Sequence, residues 1–306
     1  MLKPHLRITA RRKAKRQFQP PFPPRPLQSR PPVDVSGVGN DIPAPHYTEL
    51  QNFTCLTAPE VTEGLYYINN EMVRYYNLTE DQAGIQLVLD VGVLDINTCQ
   101  PLEDIFVEIC AANATGVYSG YAATLGGDLP PLPTSTESAG SAPSDFPGSG
   151  LSNSLERNET FLRGGLPTNQ NGIVELVTVY PGYCEGRTAH IHAMFHSNWT
   201  ASPNGTIVSH AGSLLHIGQI FFNESWNNQV YATTPYNANT NNRTLNSEDS
   251  IFDEQNAGGN NAFMELELLD EMIEEGVLGY ITIGVNSTAS YSIQNTNYYN
   301  SSIETD

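Results

Sequence analysis

Lysine is missing after Lys15, and no acidic residue precedes Asp34. Nine of the 14 Lys and Arg fall in residues 1–30; beyond them stand only Arg74, Arg157, Arg163, Arg187 and Arg243, against 33 acids. A body of that sign repels a phosphate backbone, which excludes a nucleic-acid partner for the folded part. No apolar run approaches the roughly 18 residues of a membrane-spanning helix, so no such span is expected. Cysteine is scarce as well. Cys55, Cys99, Cys110 and Cys184 are spaced by 44, 11 and 74, which fits no zinc finger or ribbon. Sequence alone leaves three complete pairings open. The basic first 16 residues are not followed by an apolar stretch, so they do not read as a signal peptide.

Asparagine is plentiful by contrast. Asn-X-Ser/Thr occurs ten times, at Asn52, Asn77, Asn113, Asn158, Asn198, Asn204, Asn223, Asn242, Asn286 and Asn300, where chance gives about four. Together with the missing lysine and the even cysteine count, this points to an extracellular glycoprotein. Residues 1–45 read as a basic, then proline-rich disordered tail, and residues 46–306 as one domain.

That domain reads as β. Ile85, Leu87, Leu89, Val91 and Val93 alternate with their neighbours, as do Ile105, Val107 and Ile109. Val174, Leu176, Thr178 and Tyr180 share one face after the Asn171-Gly172 turn. The alternation returns over His190–His196 and Met264–Leu268, and residues 277–285 read as a buried last strand. The expectation is an all-β, antiparallel sandwich with long irregular surface loops at 122–157 and 227–261, and a short helix near Thr79–Ala83.

Chemistry concentrates in Tyr180-Pro-Gly-Tyr-Cys-Glu-Gly-Arg187-Thr-Ala-His190-Ile-His192. Residues two apart on a strand share a face, so His190 and His192 can offer two imidazoles to one ion. A His-X-His pair is more often an ordinary strand face; nearby tyrosines change the odds. Tyr118 follows one apolar strand and Tyr180 ends another. A phenolate is a hard anionic oxygen, and hard oxygen with imidazole suits ferric iron. Two phenolates and a hydroxide would balance Fe(III). Arg187 has the opposite strand parity to His190 and reaches the same pocket only if 186–189 is loop or bulge. His196 reads as a core or rim histidine, and His216 as structural or exposed.

The segments Glu63-Gly-Leu-Tyr-Tyr67, Thr98-Cys-Gln-Pro101, Asn113-Ala-Thr-Gly-Val-Tyr-Ser-Gly-Tyr121, Phe161-Leu-Arg-Gly164, Val179-Tyr-Pro-Gly-Tyr183, Arg187-Thr-Ala-His-Ile-His192 and Gly218-Gln-Ile-Phe-Phe222 resemble intradiol ring-cleavage dioxygenases, most closely the secreted fungal branch. The resemblance spans roughly residues 50–285. It implies a β-sandwich holding non-haem Fe(III) on Tyr118, Tyr180, His190 and His192. Its substrates would be a small aromatic diol and O2, with the ring cut between the hydroxylated carbons to give a muconate-type diacid. The tyrosine displaced by substrate would match Tyr180. Arg187 would stabilise the electron-rich substrate beside Gln219, and Tyr66 and Tyr67 would line the pocket. The chain departs from the family at Cys110-Ala-Ala, where Trp-His-Cys is usual, and at Leu65, where proline is usual. That departure suggests Cys110–Cys184 and Cys55–Cys99 as disulfides. The acidic body favours neutral catechols and a monomer. Two other readings compete. One is a catalytically inactive secreted sandwich that binds aromatics or wall material. The other is a zinc hydrolase, which lacks an acidic ligand beside the histidines.

Overall fold

The computed structural model describes residues 44–51, 55–73, 77–121 and 155–299. The proposed tail up to residue 43, Asn52, Arg74, Asn300 and all but the end of the 122–157 loop lie outside the described residues.

Among the described residues, nine strands form two sheets. In the first, β1 (Gln86–Asp95) lies between β9 (Val277–Val285) on one side and β5 (Ile173–Val179) with the short β2 (Gln100–Pro101) on the other, and β8 (Glu265–Leu268) extends β9. The second runs β4 (Arg163–Pro167), β3 (Phe106–Ala111), β6 (His190–Ser197), β7 (Ser213–Phe221). The architecture is the expected all-β sandwich, with one difference: β1 and β9 pair in parallel. Residues 79–83, expected to be helical, form a turn instead. Asn77 Oδ1 there accepts from the amide and hydroxyl of Thr79, a local bond that competes with a helix.

The two sheets share one buried cluster. Leu87, Leu89, Val91 and Val93 of β1 and Val174 and Leu176 of β5 meet Val107, Ile109, Ala111, Ile191, Ala193 and Phe195 of the second sheet. Alternation then assigns the remaining face: Cys110, His190, His192, Met194 and His196 point to the outer side of the second sheet. Loops cover that side, and all five residues are buried. The covering buries the three histidines of a face that would otherwise meet water.

Two features replace sequence expectations. The 227–261 segment is not a loose excursion. It carries α1 (Glu224–Val230) and α2 (Ser250–Gln255), and its Asn227, Asn246, Asp249 and Gln255 are buried. Cys55 and Cys99 form a disulfide, but Cys110 and Cys184 are free and buried, so the second expected bridge is not made. Five of the sequons also have a structural use. Asn77, Asn113, Asn204, Asn223 and Asn286 each accept, through Oδ1, from the amide and hydroxyl two residues on.

Asp90 and Glu175 face each other across β1 and β5, both buried. Burial is the main reason that the Asp90 carboxyl is pushed up to about 7; Glu175 adds to it, while the Tyr47 amide opposes. Through the window from the ordinary carboxylate range to about 7, the native state keeps a proton that the unfolded chain has released. This group therefore lowers stability as pH rises through that window and is constant above it. Denaturant melts across the window should show that slope in the wild type and a flatter one in Asp90→Asn; equal slopes would contradict this placement of the proton.

Candidate metal centre

The centre is built on one cross-strand row. Arg163 of β4 pairs with Cys110 of β3, Cys110 with His192 of β6, and His192 with Gln219 of β7. These four side chains share the outer face of the second sheet. His190 stands one pleat along from His192. Its Nε2 is 3.1 Å from His192 Nε2 and 3.1 Å from the Tyr118 hydroxyl. All three side chains are buried.

Tyr118 reaches the imidazoles from the loop after β3. That loop opens with Asn113 Oδ1 accepting from Thr115 and Val117 amides. It lies backbone-to-backbone against the 181–187 loop. A Cβ on Gly182 would stand 2.3 Å from the Asn113 carbonyl oxygen, so only glycine permits the approach. The 181–189 stretch is irregular, as the parity of Arg187 required. Arg187 Nη2 donates to Gln219 Oε1 at 2.7 Å, and its Nε donates to Asp249 Oδ2 at 2.8 Å.

The tautomers can be worked out. His190 Nδ1 is 2.7 Å from the Thr188 carbonyl oxygen, which only accepts. Nδ1 therefore carries the proton, and Nε2 presents its lone pair to Tyr118 and His192. Burial, then the Arg187 charge, holds His190 well below the usual histidine range. His192 is held down by burial and then by His190. His192 Nδ1 is buried without a hydrogen-bond partner among the described residues. Either tautomer of His192 leaves a conflict. A proton on Nε2 competes with the Tyr118 hydroxyl for one lone pair. A proton on Nδ1 is buried unsatisfied, and two lone pairs then face each other.

A cation among the three atoms takes up the facing lone pairs and ends the competition for them, while the Nδ1 proton of His192 stays buried without a partner among the described residues. His190 Nε2 stands 3.1 Å from both the Tyr118 hydroxyl and His192 Nε2, close enough for the three atoms to face one ion. Burial pushes the Tyr118 phenol well above the ordinary tyrosine range, with Cys184 and Cys110 adding to it and Arg187 and Arg163 opposing. Phenolate thus forms here only against strong positive charge, as an ion supplies. The residues fit a metal with one phenol and two imidazoles.

Tyr180 does not join them. It belongs with Val174 and Leu176 to the cluster between the sheets, on the face opposite to His190 and His192. Its hydroxyl donates to Asn227 Oδ1 at 2.7 Å, and its ring packs on Phe222 at 4.5 Å. The 181–187 loop instead brings Cys184 into the buried cluster around Tyr118, with Cys110, Tyr66 and Tyr121. The two pocket tyrosines also divide. Tyr66 stacks on Tyr118 with centroids 4.8 Å apart. Tyr67 lines a small cavity beside His192, but its hydroxyl is turned to Glu108 and Ser209. His196, also on Glu108, and His216, on Glu60, are buried in hydrogen-bonded positions of their own.

Three contributors were not singled out from sequence. Asp249 holds Arg187 and the Thr188 amide. Gln255 accepts from the Gln219 amide. Gly64 lies on His192, where a Cβ would meet Cε1 at 2.5 Å. A separate group, His46, Asp90 and Glu175, has potential ligand atoms within 4.8 Å of one another, but it sits on the first sheet. It holds its own hydrogen bonds, including His46 Nδ1 to Glu175 at 2.7 Å.

No protein-family model matches the sequence, and no curated protein does. Solved structures do. The intradiol ring-cleavage dioxygenase from Tetranychus urticae is 27% identical, with 80% of this chain and 100% of that one covered and a TM-score of 0.59. A second solved dioxygenase is 29% identical over 81% of this chain and 100% of its own, with a TM-score of 0.57. The structural neighbours are intradiol ring-cleavage dioxygenases. Among the described residues, this chain brings one tyrosine of the two expected from its resemblance to them into contact with its paired imidazoles.

Gly64→Ala tests the packing. Its φ of +87° costs a side chain about 1–2 kcal/mol, and the new methyl displaces His192. Iron titration should show at least about tenfold weaker uptake, with a melting temperature lowered by only about 2–8 °C. Unchanged uptake would contradict contact between this glycine and a donor.

Proposed function

We propose that this protein is a non-haem Fe(III) dioxygenase that opens catechol-type rings between the two hydroxylated carbons, both atoms of O2 entering the resulting diacid. The observation that carries the reading is the meeting of Tyr118, His190 and His192 at 3.1 Å spacings on the outer face of the second sheet. The solved neighbours support the reaction class. Tyr118, His190 and His192 would hold the iron. Bound ferric iron would supply the activation of the aromatic ring towards dioxygen.

The chain's own residues do the rest. Arg187 is a cation fixed by Asp249 and Gln219 beside the three donors, where it stabilises negative charge developing on the substrate. Because its hydrogen bonds are in place beforehand, no reorganisation is needed when that charge appears. Tyr66, stacked on Tyr118, presents an aromatic wall suited to a flat diol. One phenolate and two neutral imidazoles leave two ferric charges, which the two oxygens of an ionised catechol match. The two arginines around the site, Arg187 and Arg163, are already paired with Asp249 and Glu71; neutral catechols therefore suit it better than carboxylated ones. The Cys55–Cys99 disulfide supports an oxidising, extracellular compartment.

Metal analysis, a visible spectrum and O2 uptake test this together. Wild type should hold one iron per chain, show a phenolate-to-iron band, and consume O2 with catechol while forming a diacid. Tyr118→Phe should lose the band and the turnover, whereas Tyr180→Phe should keep both. Arg187→Ala should keep the iron and lower kcat by about 10²–10³. Iron-loaded protein that binds catechol without consuming O2 would favour an aromatic-binding sandwich instead.

A further inference from the structure

Arg163 is among the most deeply buried cations in the described structure, with 2% of its surface exposed. A guanidinium is costly to bury unless its donors are all used. Here they are aimed at one target. Nε donates to Ser119 Oγ at 2.7 Å, and Nη2 donates to the Ser119 carbonyl at 3.1 Å and the Tyr66 carbonyl at 2.6 Å. Nη1 donates to Glu71 at 2.9 Å. Ser119 follows Tyr118 in the chain, and Tyr66 is the ring stacked on Tyr118. The fork therefore holds both the residue that follows Tyr118 and the residue whose ring stacks on it. Its Cζ is 5.9 Å from the centroids of both Tyr118 and Tyr121. Arg163 also belongs to the same cross-strand row as Cys110, His192 and Gln219, so the sheet that orients the imidazole orients this cation.

We infer that Arg163 is the positioning residue of the metal centre: its planar fork aims the Tyr118 oxygen at His190 and His192, and its charge beside the ring weakens that phenolate as an electron donor. This rests on Tyr118 being a metal ligand. The two effects separate by chemistry. Lysine keeps a charge but has no planar fork, so Arg163→Lys loosens the aim. Methionine removes both. Glu71→Gln keeps the fork and removes the anion that offsets the charge.

A cation near the phenolate lowers the energy of the electrons that move to iron in the charge-transfer band. Removing it shifts the band to longer wavelength, and removing the offsetting anion shifts it the other way. The test uses the full, iron-loaded chain and reads the visible band, the iron dissociation constant and the melting temperature. Arg163→Met should shift the band to longer wavelength and Glu71→Gln to shorter. Arg163→Lys should leave the band near its wild-type place and weaken iron binding about tenfold. Ser119→Ala, which deletes one anchor and leaves the ion pair, supplies the milder case: iron binding weakens with the band unmoved. Bands at the wild-type wavelength in folded Arg163→Met and Glu71→Gln, with only melting temperatures changed, would make Arg163 a structural ion pair and overturn the inference. Iron-loaded wild type without any phenolate band would overturn the Tyr118 assignment itself, and this inference with it.

Discussion

Two imidazole nitrogens held 3.1 Å apart on a buried strand face make demands that the surrounding structure meets. A strand in a sandwich normally turns one side to water, and its polar residues need nothing further. Here loops cover that side, so every polar group on it needs a partner inside the protein. Glu108 supplies one for His196 and Tyr67, and the Thr188 carbonyl supplies one for His190. Glu108 Oε1 and His196 Nδ1 keep no partner among the described residues, and at the centre itself stand lone pairs and one phenol that hydrogen bonding among themselves does not satisfy. A cation is the simplest group that does so, and the solved neighbours are dioxygenases.

The covering layer is unusual in composition. Asn246 accepts from the Thr188 hydroxyl, Asp249 from the Thr188 amide and Arg187, and Gln255 from the Gln219 amide. These contacts come from the asparagine-rich segment between β7 and β8. Short polar side chains reach backbone groups that a hydrophobic lid would leave unpaired. The segment thereby connects the loop that carries Arg187 to the strand that carries Gln219, and it sets the direction of the Arg187 guanidinium.

Much of this was legible in sequence. The alternations at 85–93, 105–109, 174–180 and 277–285 became β1, β3, β5 and β9. The His190-X-His192 spacing and the place of Tyr118 gave three donors that converge. Other parts were hidden for physical reasons. β4, with two glycines and a proline in five residues, has no strand-like composition, and β7 is buried on both faces and so does not alternate. Asp249 is 62 residues from Arg187 in a segment whose composition suggests a loop. Tyr180 lies away from the imidazoles, where the parity of its strand places it. The face it shares with Val174 and Leu176 is apolar, and an apolar face in a sandwich is the core face, opposite to the imidazoles. The second expected disulfide is absent for another reason than parity: Cys184 and Cys110 lie in the same buried cluster around Tyr118 as two free thiols.

The structure contains two places with ligand-bearing side chains, and they differ in what they need. His46, Asp90 and Glu175 on the first sheet share protons and hydrogen bonds among themselves and the Tyr47 amide. Each group still leaves one buried atom without a hydrogen-bond partner among the described residues, Asp90 Oδ1 on the first sheet and His192 Nδ1 on the second, but only on the second do imidazole lone pairs and a phenol converge. The most direct measurement is anomalous diffraction at the iron edge from crystals of the iron-loaded protein. The account predicts one peak within bonding distance of the Tyr118 oxygen and the Nε2 atoms of His190 and His192, with Tyr180 still on Asn227. A peak at His46, Asp90 and Glu175 instead, or one bonded to Tyr180, would contradict it.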